Sequence, residues 1–230
     1  MKLIYTGKTK DVYENPNGTY TLKLKDDATG TDGVFDPGAN AVGLTIEGLG
    51  RESLRITKHF FELLTAAGIP HHFISCDIDT AEMVVHPANH FGEGVEFICR
   101  CKADGSFVRR YGAYVQKSAE LDYFVEATLK DNDRHDPPIS EDALVVLGLM
   151  TREEYAKCKA LTQGMTKIVE KELLGKGLTL FDIKFEFARK ADTGEVILID
   201  EFSAGIMRVY RNGVIVPPLG LGGYLFKGLD

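Results

Sequence analysis

The sequence predicts an α+β protein. Short strand-like runs crowd the first part of the chain, and two longer segments carry apolar residues at helical spacing. No regular strand–helix–strand alternation connects them. A chain of 230 residues suits one large domain or two small ones and can bury a substantial core.

Each element has its own signal. KLIYTG, KDVYEN and TYTLKLK read as strands, with a hairpin turn at Asn15-Pro16-Asn17-Gly18 between the second and third. DDATGTDGVFDPGANAVG reads as an ordered loop, because Val34, Phe35 and Val42 need something to pack on. From Ser53 to Ala67, the residues Leu54, Phe60, Phe61, Leu64 and Ala67 fall on one helical face, which Gly68 and Pro70 end. FISCDI, EMVVHP and VEFICRCKA resume the strand pattern, and VEFICRCKADGSFVRRYG continues through a Gly-Ser turn into basic residues. A short helix over SEDALVVLG follows the loop at Pro137-Pro138. The strongest helix starts at Thr151, where Thr-Arg-Glu-Glu forms a capping box. Tyr155, Cys158, Leu161, Met165, Ile168 and Val169 give its apolar stripe, and Gly175 to Gly177 end it.

Composition excludes several function classes. With 27 basic against 34 acidic side chains, the net charge of −7 argues against broad nucleic-acid binding, though basic residues gathered in a cleft can still hold a small anion. No apolar run approaches the ~18–20 residues that cross a membrane, and MKLIYTGKTK lacks a signal-peptide core, so a cytoplasmic protein is expected. The four cysteines form no CxxC pair and read as free thiols. His86 and His90 have no third ligand beside them, so zinc is not expected. Gly43 to Gly48 has the glycine spacing of a Walker A loop but places Leu49 where lysine is required, and Gly220, Gly222 and Gly223 make no GxGxxG fingerprint.

The stretch FDIKFEF alternates perfectly. Phe181, Ile183, Phe185 and Phe187 point one way, and Asp182, Lys184 and Glu186 the other. ARKADTG and EVILIDEF then read as turn and strand. A three-residue loop at Asp192-Thr193-Gly194 would pair Ala191 with Glu195 and set Glu186 opposite Asp200. Adjacent carboxylates repel, so this register calls for a cation between them. Oxygen-only ligands beside phosphate suit Mg²⁺. Taken alone, the hairpin also reads as a solvated charged face. Arg100 and Ser106 suit a phosphate or carboxylate, Arg100 otherwise making a surface ion pair. TGKTK offers a glycine turn with Lys8 and Lys10 over phosphate, and TLKDNDRHDPP reads as a polar loop.

Together YTGKTKDVY, LKDDATGTDG, VEFICRCKADGSFVRRYG, TLKDNDRHDPP, LTLFDIKFEF and LIDEFSAGIMR closely resemble the SAICAR synthetase family (phosphoribosylaminoimidazole-succinocarboxamide synthases) of purine biosynthesis. The resemblance implies a two-lobed α+β fold. A small antiparallel lobe, residues 1–85, covers ATP. A larger mixed, ATP-grasp-like lobe, residues 86–230, carries the metal and substrate sites, with ATP in the cleft. It implies ATP-dependent joining of L-aspartate to carboxyaminoimidazole ribonucleotide (CAIR), releasing ADP and phosphate, by an enzyme that forms a homo-oligomer, a dimer. By the resemblance Glu186 and Asp200 bind Mg²⁺, and Lys8, Lys10 and Lys130 belong to the ATP site. Arg100, Ser106, Arg208 and Asp136 belong to the nucleotide-substrate site, and Asp182 and Lys184 orient the reacting groups. Another carboxylate–amine ligase, a kinase-like phosphotransferase or a non-catalytic nucleotide-binding relative are the alternatives. Ala188 replaces the family's usual glycine and Ala204 a frequent proline, both expected at turns, and the tail VPPLGLGGYLFKGLD lacks the long closing helix of many relatives.

Overall fold

The computed structural model describes residues 1–39 and 41–227. Asn40, and the end of the C-terminal tail from Gly228 to Asp230, lie outside the described residues. The chain opens with β1 (Lys2–Thr6), β2 (Lys10–Glu14) and β3 (Tyr20–Leu24), joined as antiparallel hairpins. The segment expected to be a loop instead folds as β4 (Asp27–Thr31), β5 (Val34–Phe35) and β6 (Val42–Thr45), a small sheet of order β5-β4-β6. Pairing on both sides of β4 satisfies backbone groups that a packed loop would leave without partners.

Helix α1 (Leu49–Ala66) follows, with Leu54, Ile56, Phe60, Phe61 and Leu64 all buried. The chain then returns through β7 (Phe73–Asp77) and β8 (Glu82–Val85), completing a five-stranded sheet of order β1-β2-β3-β8-β7. The segment HPANHFGEG, which begins at the expected boundary between the lobes, contains β9 (Ala88–His90), which pairs with a strand of the second sheet.

The second sheet is built from β10 (Val95–Lys102), β11 (Glu120–Leu129), β12 (Pro138–Ile139), β13 (Thr179–Lys190), β14 (Val196–Ile199), β15 (Met207–Arg211) and β16 (Val214–Ile215). Its order is β12-β11-β10-β13-β15-β16, with β9 and β14 also on β13. Between β10 and β11, the expected Gly-Ser turn is helix α2 (Gly105–Tyr111). Asp104 caps it by accepting the Gly105 N–H at 2.8 Å, and Phe107 and Tyr111, one turn apart, meet edge-on at 4.8 Å. Helix α3 (Glu141–Val146) is capped by Ser140.

Helix α4 (Arg152–Gly175) starts at the predicted capping box. Thr151 accepts the Glu154 N–H at 3.2 Å, and Glu154 accepts the Thr151 N–H at 2.8 Å. Its buried Cys158, Met165, Val169 and Leu173 lie across the apolar face of the second sheet, over Phe97, Ile183, Phe185 and Phe187. Helix α5 (Gly220–Leu225) is a short closing turn against α1. One apolar core runs from Leu22, Met83 and Val85 of the first sheet through α1 to Phe185 and Phe187 of the second. Among the described residues no helix is long and apolar enough to cross a membrane.

Ala188 lies inside β13 rather than at a turn. It pairs with Ile197 and His90 and is fully buried, so glycine's backbone freedom is not needed there. Ala204 does open a tight turn, Ala204–Ile206.

The four cysteines are free, and Cys99, Cys101 and Cys158 are buried. Burial pushes the Cys99 thiol up to about 11 and Cys158 up to about 12, and raises Cys101 as well. Because the thiolate is the nucleophile, a disulfide reagent at mildly alkaline pH should label native protein only at the half-buried Cys76 and the other three only in denaturant. Rapid native labelling of Cys99, Cys101 or Cys158, read by peptide mass mapping, would contradict this packing.

Candidate active site

The polar face of the second sheet is assembled by register. On β13, Asp182 pairs with Arg100 of β10 on one side and with Arg208 of β15 on the other. Two residues on, Lys184 pairs with Ile98, and Glu186 pairs with Glu96. Directly paired residues share a face, so one row reads Arg100–Asp182–Arg208 and another Glu96–Glu186.

This register corrects the sequence-based hairpin. Lys190 rather than Ala191 pairs with Glu195, Gly194 takes a left-handed φ of 72°, and Glu186 lies opposite Ile199 instead of Asp200. A loop one residue longer shifts every pair and moves residues to the other face. Asp200 nevertheless reaches the Glu186 side. Its φ is 74°, a left-handed turn at the end of β14 that breaks the pleat and swings its carboxylate into the cleft. The carboxylate facing Glu186 in the sheet is Glu96.

The charged face is not solvated. Glu96, Arg100, Asp182, Glu186 and Arg208 are all buried, and each has an opposite charge. Arg100 donates from Nε to Glu126 at 2.8 Å, from Nη1 to Asp182 at 3.2 Å and from Nη2 to Ser106 at 2.9 Å. Arg208 donates to both Asp182 oxygens at 3.1 Å and to Asp36 at 2.9 Å. Its guanidinium passes Gly105, where φ is 53° and a Cβ would sit 2.6 Å from Arg208 Cζ, so only glycine suits that position. Burial pushes the Asp182 carboxyl up, against the pull of Arg208 and Arg100.

The lysines answer the second row of carboxylates. Lys184 donates to Glu96 at 2.7 Å, and Thr128 donates to the other Glu96 oxygen at 3.0 Å. Lys130 binds both Glu186 oxygens at 2.7 and 2.9 Å. Lys10 crosses from the first sheet to Glu201 at 2.6 Å and to Asp200. Lys8 reaches Asn132 at 2.6 Å. Burial alone would lower Lys10, Lys130 and Lys184, but the neighbouring carboxylates outweigh it and hold all three up. Burial does lower Lys8. Lys10 draws Asp200 well below the usual carboxylate range, while burial and the Asp200 charge push Glu201 up to about 7.

Two adjoining cavities result. One, about 190 Å³, lies between the sheets and is lined by Lys8, Lys10, Lys130, Glu186, Asp200 and Glu201 among others. The other, about 380 Å³, is lined by Arg100, Ser106, Arg109, Arg110, Asp182 and Arg208 among others. Glu96, Asp136 and Lys184 border both. Every residue that the family resemblance assigned to the site lies on one of these walls. Glu96, Glu126, Glu201 and Asp36 were not singled out. The period of two that placed Arg100 also places Glu96 on its face, and Glu201 adjoins Asp200, whereas only the tertiary structure brings Asp36 to Arg208.

Glu186 and Asp200 offer oxygen donors to one cavity, and an ammonium group now sits against each. Among the described residues no group of three or more His, Cys, Asp or Glu is gathered around a metal position. That donor set fits Mg²⁺, which takes one or two carboxylates and completes its shell with phosphate and water.

A family model for SAICAR synthetase matches residues 3–215. The chain belongs to the SAICAR synthetase family. The phosphoribosylaminoimidazole-succinocarboxamide synthase of Clostridium tetani is 52% identical, over 96% of this chain and 97% of that protein. A solved SAICAR synthetase, 31% identical, superposes with a TM-score of 0.79 over 91% of this chain and 86% of its own. Another, solved in complex with ADP, is 26% identical with a TM-score of 0.81, over 92% and 86%. The SAICAR synthetase fold is therefore the two-lobed α+β arrangement described above, and the protein is an ATP-dependent carbon–nitrogen ligase of purine biosynthesis.

Asp182 is the electrostatic keystone of the arginine row. Asp182→Ala leaves Arg100, only 1% exposed, and Arg208 without their shared anion. The expected loss is about 3 kcal/mol of unfolding free energy, as for removing one partner of a buried ion pair, read as a lower urea midpoint. A loss below about 1 kcal/mol would show that Glu126 and Asp36 alone satisfy the arginines.

Proposed function

We propose that the two cavities bind ATP and CAIR side by side and join L-aspartate to the CAIR carboxylate, giving SAICAR, ADP and phosphate through an acyl phosphate. The observation that carries this reading is their shared border at Lys184, Glu96 and Asp136. A carboxylate lying there is within reach of a phosphate donor on one side and anchored by arginines on the other.

The roles follow from the chemistry of each wall. Lys8, Lys10 and Lys130 neutralise the ATP phosphates; Lys10 and Lys130, now on Asp200 and Glu186, can turn to phosphate oxygens and leave those carboxylates to hold Mg²⁺. Mg²⁺ held by Glu186 and Asp200 would supply charge neutralisation to the phosphoryl group in flight. Arg100, Ser106 and Arg208 hold the CAIR phosphate, with planar forks and a hydroxyl suited to its oxygens. Asp182 acts through the two arginines rather than on the reacting atoms. Lys184 holds the reacting carboxylate, and Asp136 belongs to the nucleotide-substrate site at the border of the two cavities.

A carboxylate is a poor electrophile. Its oxygen first attacks the terminal phosphorus of ATP, and the bond to ADP breaks. The aspartate amine then attacks the activated acyl carbon, the carbon–oxygen bond breaks, and phosphate leaves with the electron pair while the amine loses its proton. Catalysis of this kind is mostly positioning and charge neutralisation, which is what the buried ionic rows supply.

ADP release by purified protein tests the assignment when ATP, Mg²⁺, CAIR and aspartate are omitted in turn. ADP and the succinocarboxamide product should form only with the complete set. ADP formed without aspartate would instead favour a kinase-like activity, and none from protein that still binds ATP a non-catalytic relative. Asp200→Asn should abolish turnover and keep a native circular-dichroism spectrum. Near-normal turnover would remove its metal role.

A further inference from the structure

Asp200 leaves the extended backbone of β14 for a left-handed φ of 74°. A left-handed φ is uncommon outside glycine, although Asp and Asn tolerate it better than other residues, and here specific contacts hold the turn. Two groups do so on the carboxylate side: Asp200 Oδ1 accepts the Glu201 N–H at 2.9 Å and also contacts Lys10. On the opposite side, the Asp200 carbonyl faces one side chain of the first lobe. His72 Nε2 lies 3.1 Å from that oxygen, and His72 is 4% exposed. A carbonyl can only accept, so the imidazole donates from Nε2.

The backbone of His72 is itself clamped between the lobes. Its N–H donates to Leu198 O at 3.0 Å, and its carbonyl accepts the His86 N–H at 2.8 Å. Leu198 N–H donates to Pro70 O at 3.0 Å, completing a parallel bridge between His71 and β14. Thr57 of α1 secures the next step of the chain, accepting the Phe202 N–H at 3.1 Å. The first lobe thus grips both ends of the segment that carries Asp200, and His72 is the side chain that touches the turned residue.

We propose that His72 is a positioning residue for Asp200: its Nε2–H holds the Asp200 carbonyl so that the left-handed turn presents the carboxylate to the cleft. The role rests on the reading of Asp200 as a Mg²⁺ ligand. It follows from the one-residue register of the β13–β14 hairpin, because the strand pleat alone would send Asp200 to the other face.

The test compares His72→Gln, whose amide N–H keeps a donor, with His72→Met, which fills similar space without one. Asp200→Asn serves as the control for the underlying reading. Calorimetric binding of ADP as a function of Mg²⁺ concentration is measured beside kcat and the KM values for CAIR and aspartate. His72→Met should raise the half-saturating Mg²⁺ concentration by about tenfold or more, the usual effect of removing a group that orients a metal ligand. The KM for CAIR should stay within about twofold, and His72→Gln should recover most of the loss. Folded His72→Met with unchanged Mg²⁺ dependence, or His72→Gln as impaired as His72→Met, overturns the proposal. If His72→Met does not fold, His72→Asn carries the comparison, its amide being too short to reach the Asp200 carbonyl. An Asp200→Asn protein with wild-type Mg²⁺ dependence instead overturns the metal reading, and a shift in that variant alone overturns only the role of His72.

Discussion

The chemistry of this protein depends on where β13 lies in its sheet. Held between β10 and β15, it sets Asp182 against Arg100 and Arg208, and Glu186 against Glu96. Charges this deeply buried persist only when each has a partner with good geometry, because isolated desolvation costs several kcal/mol per ion. The register supplies one partner for each group on the arginine row, and Lys184 of β13 itself and Lys130 beyond β11 answer Glu96 and Glu186. Displacing β13 by a single residue would bury these charges in the apolar layer beneath α4.

A second consequence concerns the two lobes. Lys10 and Lys8 leave the first sheet's glycine turn and meet Asp200, Glu201 and Asn132 of the second lobe. Behind them, α1 and the Pro70–His72 segment join the same region through backbone and aromatic contacts, with Phe60 stacked on Phe202 at 5.2 Å. The cleft is therefore bordered in front by charge pairs that phosphate can displace and behind by apolar and hydrogen-bonded contacts that it cannot. In the proposed ATP site this division places the replaceable charge pairs on the cavity wall and the permanent contacts behind it.

Much of this was legible in the sequence. The alternation of FDIKFEF put Asp182, Lys184 and Glu186 on one face, the capping box located the start of α4, and the family motifs grouped Lys8, Arg100 and Arg208 as candidate site residues. Other features were not legible. The four-residue turn after Lys190 differs from a three-residue one by a single position, yet it decides which residue faces Glu186. DDATGTDGVFDPGANAVG carries turn residues at almost every step, so its strand pairing is set by neighbours rather than by propensity. Helix α2 is too short to show a helical period and depends on its Asp104 cap and the Phe107–Tyr111 contact.

By itself the sequence determined the fold class, the family and the residue types of the site, because periodicity and motif spacing are local properties of the chain. Only the tertiary structure decided that the charged face is buried rather than solvated, that Glu96 is the carboxylate opposite Glu186, and that Asp200 enters the cleft through a left-handed turn backed by His72. Burial, strand register and contact between distant segments are set by how elements pack on one another, and no window of sequence contains both partners.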